Sequence, residues 1–424
     1  MTHFDTVDFY TDKELVENPY PYFEYLRSQG PIARLPQRNV LAVTGYAEAL
    51  EIVNDPKTFS SANSATGPIP ELPFEPEGDD IQEQLDAHRD EMLATGLVVA
   101  KDGKEHADHR SLMMNLFTPT RLKANEEYMW NLTDTLIGNF VDQGHCDLIT
   151  DYATPFATLV IADLLGIPEN DRITFCEKLG PPPGAVGEDV SYEDSQVLGM
   201  SFLFEYFGEY LAERRENSKG DILSQFAQAK FPDGSTPEVG DLVWISAFLF
   251  GAGQDTTARL LGACLRTLCE IPELQEQVRN DRSLIPAFID EVVRYDGPVK
   301  CAHRLAVKTT TIGGVEIKAG THIALLYGAC NRDPREFEAP DQVILNRPNA
   351  RKHLGFGRGV HTCAGMPLAK AEVTASLNRI LDRMKDIKLS EEHHGQPGKQ
   401  RFTYEPIYTL RALKNLHIEF TPVS

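Results

Sequence analysis

The sequence predicts a mainly α-helical protein with a small β-rich lobe. Apolar residues recur at helical spacing through most of the 424 residues, whereas stretches that alternate between apolar and polar residues are few and short. Hydrophobic residues make up 42% of the chain and charged residues 25%, so a large core can form and the composition is not typical of disorder.

A few short segments have strand character, because β-branched and other apolar residues alternate there between turn residues. We predict strands at residues 32–35, 40–43, 311–317 around a Gly-Gly turn, 322–325 and 416–420.

Two stretches are predicted to be long loops. Residues 63–84 contain four prolines and many acidic residues, and residues 180–194 begin with Gly-Pro-Pro-Pro-Gly. Such loops are either lids over a binding site or solvated surface excursions, and the sequence favours neither.

The charge balance argues against nucleic-acid binding. Lys and Arg number 41 and Asp and Glu 63, which gives a net charge of −22 and also disfavours adsorption to anionic membranes. The first residues carry no basic stretch followed by an apolar segment, and apolar runs such as residues 242–253 are too short to span a bilayer. We therefore expect a cytoplasmic protein without a membrane anchor.

The seven cysteines do not predict a disulfide framework or a four-ligand zinc site. They are odd in number, scattered, and contain no Cys-x-x-Cys pair. We interpret six of them as small buried hydrophobic residues. The set is Cys146, Cys176, Cys264, Cys269, Cys301, Cys330 and Cys363.

Cys363 is the exception, because its surroundings favour a metal-bound thiolate. Residues 356–365 read Phe-Gly-Arg-Gly-Val-His-Thr-Cys-Ala-Gly, and the glycines permit a tight turn and close approach of a ligand. Helical spacing follows, with Pro367 tolerated in the first turn, so Cys363 lies at a helix N-terminus, where free N–H groups favour a thiolate over a thiol. Phe356 can shield the sulfur from water.

Residues 356–365 resemble the haem-binding loop of the cytochrome P450 superfamily, where Phe, two glycines, a basic residue, Cys and Gly recur at this spacing. Further matches in the expected order extend the resemblance over essentially the whole chain. One departure is that Lys101-Asp-Gly-Lys104 replaces the usual Asp-Pro-Pro, which puts the loop geometry there in doubt. The resemblance implies a cytochrome P450 fold, a single domain spanning residues 1–424 and enclosing a haem.

The resemblance also implies the cofactor and its ligands. Haem b would be bound with Cys363 as the axial iron ligand. The histidine and arginine side chains among the implied contacts would bind the propionates. The implied haem contacts are His106, Arg110, Ala252, Gly253, Arg304, His353, Phe356, Gly357, Cys363 and Gly365.

A helical Glu-x-x-Arg pair matches a structural triad of the same family. Glu291 and Arg294 are three residues apart and therefore share a helix face. The resemblance assigns Arg347 as the third member. We expect the triad to support the core beneath the haem; alone, such a pair would more often be a surface contact of little energetic value.

A long helix, from about residue 242 to residue 270, carries an unusual run of small residues. Two glycines inside a helix each cost about 1 kcal/mol relative to alanine, so a specific role is expected. Small residues beside a hydroxyl allow a local opening of the helix with room for dioxygen. The resemblance implies that Asp255 relays protons and that Thr256 hydrogen-bonds the bound oxygen, whereas a packed helix kink is the alternative.

The implied substrate pocket is largely apolar, which predicts a terpenoid, an aromatic compound or a similar small to medium hydrophobic molecule. Lys300 and Gln254 could recognise a polar end, although Lys300 is expected to face solvent. By the resemblance, the pocket residues are Phe248, Ala252, Val299, Ala302, Thr409 and Leu410.

The electrons for such a reaction must come from a partner, since the chain shows no flavin- or nicotinamide-binding region and no cysteine set for an iron–sulfur cluster. We expect a separate ferredoxin with its reductase, and a monomeric enzyme. The basic residues expected to dock the ferredoxin are Arg110, Arg351, Lys352 and Arg358, with solvated surface charge as the alternative.

Two other functions remain open at this point. A peroxygenase would take its oxygen atom from hydrogen peroxide, but it has less need of the pair Asp255 and Thr256. A haem sensor or binding protein would bind dioxygen or carbon monoxide without oxidising a substrate. Turnover with dioxygen and external electrons distinguishes the three.

Overall fold

The structure is a computed structural model that describes residues 4–178 and 192–423. Helices account for 54% of it, which confirms the mainly α-helical class. The α-helices, in chain order from α1 to α16, are Lys13–Glu17, Tyr20–Gln29, Tyr46–Asn54, Gln82–Ala87, Gly103–Met114, Pro119–Gly138, Thr154–Leu165, Glu169–Lys178, Tyr192–Glu216, Ile222–Ala227, Val239–Glu270, Pro272–Asn280, Ile285–Asp296, Tyr327–Cys330, Met366–Arg383 and Glu391–His394.

Shorter helical turns connect these helices. A π-helical turn, Leu148–Ala153, leads into α7. The 3₁₀ turns are Phe4–Thr6, Arg89–Glu91, Val98–Ala100, Asn115–Phe117, Val141–Gln143, Arg282–Leu284, Ala350–Lys352 and Gly359–His361.

The described strands form three small sheets. In chain order from β1 to β10 they are Ile32–Arg34, Val40–Val43, Phe59–Ser60, His145–Asp147, Ala302–Ala306, Thr310–Ile312, Val315–Ile317, His322–Leu325, Met384–Leu389 and His417–Pro422. The largest sheet has the order β1-β2-β8-β5-β3, with β2 and β8 parallel and the other neighbours antiparallel. A second sheet has the order β4-β10-β9, and β6 and β7 form a hairpin.

Helix α11 is the centre of the helical part. Its N-terminus is closed by a capping box, in which the side chains of Glu238 and Asp241 each accept a bond from the other's backbone N–H. Apolar side chains on most faces are buried, and α11 packs against α7, α9, α13 and α15. A helix that is apolar on most faces is stable only inside a core, so α11 positions whatever lies along it.

Most of the predicted strands are confirmed, with changes at their ends. The segments 40–43 and 322–325 match β2 and β8 in both bounds, and residues 311–317 form the predicted hairpin. Four strands were missed: β3, β4, β5 and β9. Three of these strands have only two to five residues. Strand β9 pairs with β10 across an irregular register, so buried and exposed residues do not alternate along β9.

The two predicted loops have different outcomes. Residues 63–81 carry no helix or strand, and near their end Asp80 pairs with Lys308 at 2.8 Å. Of residues 180–194, those up to 191 lie outside the described residues, and α9 begins at Tyr192.

One helical segment of the described chain, Leu148–Leu165, is long and apolar enough to cross a membrane by length and composition, and 67% of it is buried within the fold.

The triad residues meet in a fully buried network at the base of the helical part. Arg294 donates from Nε and Nη2 to the two carboxylate oxygens of Glu291, both at 2.8 Å. Arg347 donates from Nε to the same oxygens at 3.0 and 3.1 Å, and the N–H of Ile344 adds a bond of 2.8 Å. Backbone carbonyls of Asn331, Pro340 and Gln342 accept further bonds from the Arg294 guanidinium. The network joins α13 to the segment before the cysteine loop.

Breaking this network is expected to lower stability strongly. In Arg347→Ala, Glu291 loses one of its two cations without gaining water, so the free energy of unfolding should fall by about 3–5 kcal/mol. Urea unfolding followed by circular dichroism measures the change. Lys388→Ala is the control: its pair with Glu419, at 3.1 Å, is exposed, and its loss should cost less than about 1 kcal/mol. Equal losses in the two variants would contradict the prediction.

Candidate active site

The loop that carries Cys363 is closed by its own backbone. The N–H of Cys363 donates to the carbonyl of Phe356 at 2.8 Å, and Thr362 N–H donates to the carbonyl of Gly359 at 3.1 Å. Gly357 and Gly359 have φ angles of 65° and 70°, which favour glycine. A Cβ at Gly359 would also lie 2.6 Å from a backbone carbonyl oxygen of α3, that of Val53. The loop therefore has one compact conformation pressed against α3.

The sulfur of Cys363 sits at the amino end of α15, as predicted. Burial raises the pKa of the Cys363 thiol, while the N–H groups of Gly365 and Met366 and the Arg110 guanidinium oppose that rise. Hydrogen bonds from N–H groups and a nearby cation stabilise the anionic form of sulfur. These surroundings suit a metal-bound thiolate.

A cluster of cationic and imidazole side chains lies beside the loop. Arg110, on α5, donates to the carbonyl of Thr362 at 2.6 Å. The rings of His106 and His361 are 4.0 Å apart between centroids. Burial lowers the pKa of His361 to about 3, with the charge of the buried Arg304 adding to the effect. Four side chains thus converge from α5, β5 and the cysteine loop.

Of the two histidines in this cluster, His106 was predicted from the sequence and His361 was not. His106 is buried and its Nε2 has no hydrogen-bond partner. His361 was not singled out, although it lies two residues before Cys363; its Nε2 is 3.0 Å from Ser61 Oγ. Its place inside the cysteine loop was the signal that could have identified it.

The structure does not place His353 in this cluster. Its Nε2 lies 3.4 Å from Asp290 on α13, and its ring packs 5.6 Å from Phe356. Lys370 also bonds Asp290, at 2.5 Å. The side chain of His353 therefore faces α13 beneath the loop, because the turn Ala350–Lys352 directs it there.

Asp102 accounts for the departure noted before the first histidine. Its carboxylate accepts bonds from Ser60 Oγ at 2.5 Å and from the backbone N–H of Ser61 at 2.9 Å, and Arg89 donates to it at 3.1 Å. Asp102 thus ties the start of α5 to β3 and to the segment that follows. This positions His106 and Arg110 without the prolines expected there.

The small residues of α11 have separate roles. An added Cβ at Gly253 would lie 3.1 Å from Ile161, so this glycine permits close packing on α7, whereas a Cβ at Gly251 would meet no atom within 4 Å. The helix is continuous from Val239 to Glu270, so the expected local opening does not interrupt it. Thr256 Oγ1 donates to the carbonyl of Ala252 at 2.8 Å.

Asp255 is a mostly buried carboxylate with a single ionic partner. Its Oδ1 lies 2.8 Å from Nη2 of Arg259, one helical turn further on. Its Oδ2 is buried and has no hydrogen-bond partner. Burial raises the pKa of Asp255, and the charge of Arg259 opposes the rise. A carboxyl with a raised pKa keeps its proton to a higher pH than an exposed one.

A second buried carboxyl, missed in the sequence, connects the two halves of the site. Thr257 Oγ1 on α11 donates to Glu372 Oε2 on α15 at 3.0 Å. Burial raises the pKa of Glu372 to about 8, and the Thr257 bond only partly opposes this. Glu372 is therefore protonated at neutral pH, and the bond fixes α11 relative to the helix that begins after Cys363.

The predicted pocket residues fall into two groups. Thr409 accepts bonds from the N–H groups of Lys300 and Cys301, at 2.9 and 3.3 Å, and Leu410 forms a bridge with Val299. Val299 and Ala302 pack against the β-lobe core, whereas Phe248 packs against the helical core. Among the described contacts, none joins Phe248 to the other group.

The expectation that Lys300 faces solvent was wrong. Only 3% of the residue is exposed. Burial lowers the pKa of its ammonium group to about 7, with the Arg411 charge adding to the effect. Its Cβ packs close to Gly328, and the neighbouring Phe23 contacts the same glycine. Gln254, the other polar candidate, is half-buried on α11.

The four basic residues predicted to dock a partner differ in exposure. Arg351 and Lys352 are exposed and pair with Asp290 at 3.4 Å and with Glu336 at 2.9 Å. Arg358 is half-buried and donates to the carbonyl of Arg351 at 2.5 Å. Arg110 is held within the cluster described above.

The residues around Cys363 fit an iron porphyrin. Cys363 would supply a soft sulfur ligand to the iron, and the N–H groups of Gly365 and Met366 would stabilise its charge. Two arginines and two imidazoles match the charge and hydrogen-bonding needs of a pair of carboxylates. The unpartnered Nε2 of His106 is a buried polar atom that such a carboxylate would satisfy.

Similarity to known proteins extends over nearly the whole chain. The family model described as Cytochrome P450 matches residues 199–397. Cytochrome P450 144 of Mycobacterium tuberculosis is 30% identical over 385 residues, which are 89% of this chain and 85% of that protein. Cytochrome P450-terp of Pseudomonas sp is 29% identical and 90% of each chain is covered. Mycobacterium marinum cytochrome P450 CYP150A6, in a substrate-free structure, is 49% identical with a TM-score of 0.92, covering 99% of this chain and 100% of that one.

The protonated state of Glu372 predicts a pH-dependent stability difference. The unfolded chain releases this proton above about pH 4.5, whereas the folded protein keeps it up to about pH 8. The folded state therefore loses stability as pH rises through this window. The glutamine in Glu372→Gln cannot ionise. The free energy of unfolding of this variant should therefore rise relative to that of the parent by up to about 1.4 kcal/mol per pH unit in this window.

Denaturant unfolding at several pH values between about 4.5 and 8 measures this difference. Glu51→Gln is the matched control, since Glu51 is exposed, and its difference from the parent should stay flat. Parallel pH profiles for Glu372→Gln and the parent would show that the buried carboxyl is ionised in the folded protein.

Proposed function

The chain belongs to the cytochrome P450 family of haem b monooxygenases, and from that premise we propose that it hydroxylates a hydrophobic compound with dioxygen and two electrons from a ferredoxin. The substrate is a small to medium molecule such as a terpenoid or an aromatic compound. The observation that carries the proposal is the convergence of an accessible cysteine at a helix N-terminus with a cluster of arginines and histidines.

Each side chain of this site has a defined task toward the cofactor. Cys363 would ligate the iron as a thiolate that accepts the N–H bonds of Gly365 and Met366. Arg110 and Arg304, with His106 and His361, would neutralise and orient the propionates. When bound, the haem supplies the oxygen chemistry, in which one atom of dioxygen enters a C–H bond and the other is reduced to water.

The proton supply is proposed to come from α11. Asp255 is buried, and its free Oδ2 can take up a proton from solvent and release it inward. Thr256 follows it directly, and its hydroxyl donates to Ala252 in the resting protein. Because that bond lies within the helix, the hydroxyl can rotate to donate elsewhere without disturbing a distant partner.

The proposed substrate class follows from the apolar character of the residues that the family resemblance assigns to the pocket. These are Phe248 on α11 and Val299, Ala302 and Leu410 of the β-lobe, and each is half-buried. A relative, cytochrome P450-terp, carries a name consistent with a terpenoid class. Spectral titration with limonene, lauric acid and naphthalene tests the class directly, since a compound that displaces water from the iron shifts the absorption of the haem.

The proposed electron donor docks beside the cysteine loop. Arg351 and Lys352 are exposed there, and Val360 of the loop is 50% exposed. An acidic ferredoxin would be attracted to such basic residues, with an affinity that falls as salt rises. We further propose that the enzyme acts as a monomer in the cytoplasm.

The thiolate assignment predicts the spectrum of the reduced carbon monoxide complex. The folded, haem-loaded parent should show the red-shifted band of a thiolate-ligated haem. Cys363→Ala should lack it and should not turn over, because the axial sulfur is gone. Cys301→Ala is the control, since Cys301 is buried in a separate hydrophobic cluster with Tyr408, and it should keep the band. A parent protein without the band would overturn the assignment.

The proton-delivery assignment predicts uncoupling in Thr256→Ala. The variant should still consume NADH through ferredoxin and reductase, but it should release most of the electrons as hydrogen peroxide instead of forming product. Peroxide and NADH are measured together with the compound that binds best in the titration. Thr267→Ala is the control: Thr267 makes the equivalent bond to the carbonyl of Ala263 further along α11. Tight coupling in Thr256→Ala would contradict the role.

A further inference from the structure

Arg259 makes two contacts that join Asp255 to a distant part of the chain. Its Nη2 lies 2.8 Å from Asp255 Oδ1, and its Nη1 donates to the backbone carbonyl of Leu413 at 2.7 Å. The side chains of Arg259 and Asp255 are 9% and 17% exposed, so solvent screens the pair only weakly. The guanidinium is therefore held at both ends.

The carbonyl that holds Arg259 is itself firmly positioned. Leu413 forms a bridge with Tyr404, and Arg411, two residues earlier, bonds the buried Asp296 at 2.7 Å. Gly262, on the same face of α11, lies beside the Leu413 side chain, which an added Cβ would meet at 3.6 Å, an ordinary van der Waals contact. The position of the guanidinium thus follows from the C-terminal segment as well as from the helix.

The contact to Asp255 uses only one of the two carboxylate oxygens. Oδ1 is occupied by Arg259, whereas Oδ2 is buried and has no partner. A bidentate contact would place the cation on both oxygens and leave neither of them free of it. A free, buried carboxylate would rotate, and burial alone would favour its neutral form. The observed arrangement avoids both outcomes.

We propose that Arg259 is the positioning residue of the proton relay, holding Oδ1 of Asp255 so that Oδ2 alone takes up and releases the proton. Arg259 itself neither gains nor loses a proton, and each proton that Oδ2 accepts from solvent leaves from the same oxygen. The inference rests on the proposed role of Asp255 in the reaction. It adds that the C-terminal segment, through Leu413, fixes the geometry of the relay.

Infrared difference spectroscopy of the ferric holoenzyme tests the contact without turnover or substrate. Asp255→Asn identifies the carboxylic acid band of Asp255 by its loss. In Arg259→Gln that band should appear at a pH about 1–3 units higher than in the parent, because the cation that favours the carboxylate is absent. Arg259→Lys keeps the charge and should restore most of the parent midpoint. Equal midpoints in Arg259→Gln and the parent would overturn the proposal.

A double variant separates this proposal from the proposed function. The amount of hydrogen peroxide released per NADH consumed is measured with the compound that binds best in the spectral titration. This ratio should rise in Arg259→Gln to the level found in Asp255→Asn. It should rise no further when both changes are combined, because Arg259 acts through Asp255. If Asp255→Asn stays coupled, the relay role itself fails. If Asp255→Asn uncouples and Arg259→Gln does not, only the positioning role fails.

Arg279→Gln is the matched control for stability. Arg279 pairs with Glu276, three residues earlier in α12, at 3.4 Å and also donates to a distant backbone carbonyl, that of Leu381. The variant should lower the melting temperature but leave both the Asp255 band and the coupling at parent values. An Arg259→Gln variant that behaved in the same way as Arg279→Gln would assign Arg259 to stability alone. The reduced carbon monoxide spectrum verifies that each variant is folded and haem-loaded.

Discussion

The placement of Cys363 at the amino end of α15 is the constraint on which the rest of the site depends. Its sulfur needs N–H donors to be held as an anion, and the first turn of a helix supplies them without a side chain. The turn that leads into the helix must therefore be tight, which the glycines at positive φ permit. The cationic cluster gathers beside the same turn, because Arg110 bonds the carbonyl next to the cysteine.

Two buried polar connections hold the remaining elements to this point. The bond between Thr257 and Glu372 ties α11 to α15, so the residues proposed to move protons keep their position relative to the sulfur. Glu291 with its two arginines secures α13 to the segment that enters the loop. In both cases a buried polar group is hydrogen-bonded. A change of geometry that broke these bonds would leave the group unpaired and lower the stability of the fold. Such contacts favour one arrangement of the helices over others.

The fold class and the cysteine loop were predictable because both follow from local patterns. Helical periodicity and glycine spacing are properties of adjacent residues. The strands that were missed are short or irregular, and β5 contains His303 and Arg304, whose polarity hides its pairing with β8.

The distribution of site residues was harder to predict, since it depends on contacts between distant segments. His353 and His361 are both histidines near Cys363, and only the path of the chain shows that one faces Asp290 and the other His106. Lys300 is buried where its backbone bonds to Thr409 and Gly328, two contacts that no neighbouring residue indicates. Arg259 has a partner at helical spacing, but its second partner is a backbone carbonyl more than 150 residues away, where side-chain identity carries no signal.

The close approach of Gly359 to Val53 has a consequence for engineering this enzyme. The loop joins the helical body to the β-lobe at a point with no room for a side chain. Val360, the next residue, is open to solvent. Libraries that alter partner preference can vary position 360 freely, provided that position 359 stays glycine.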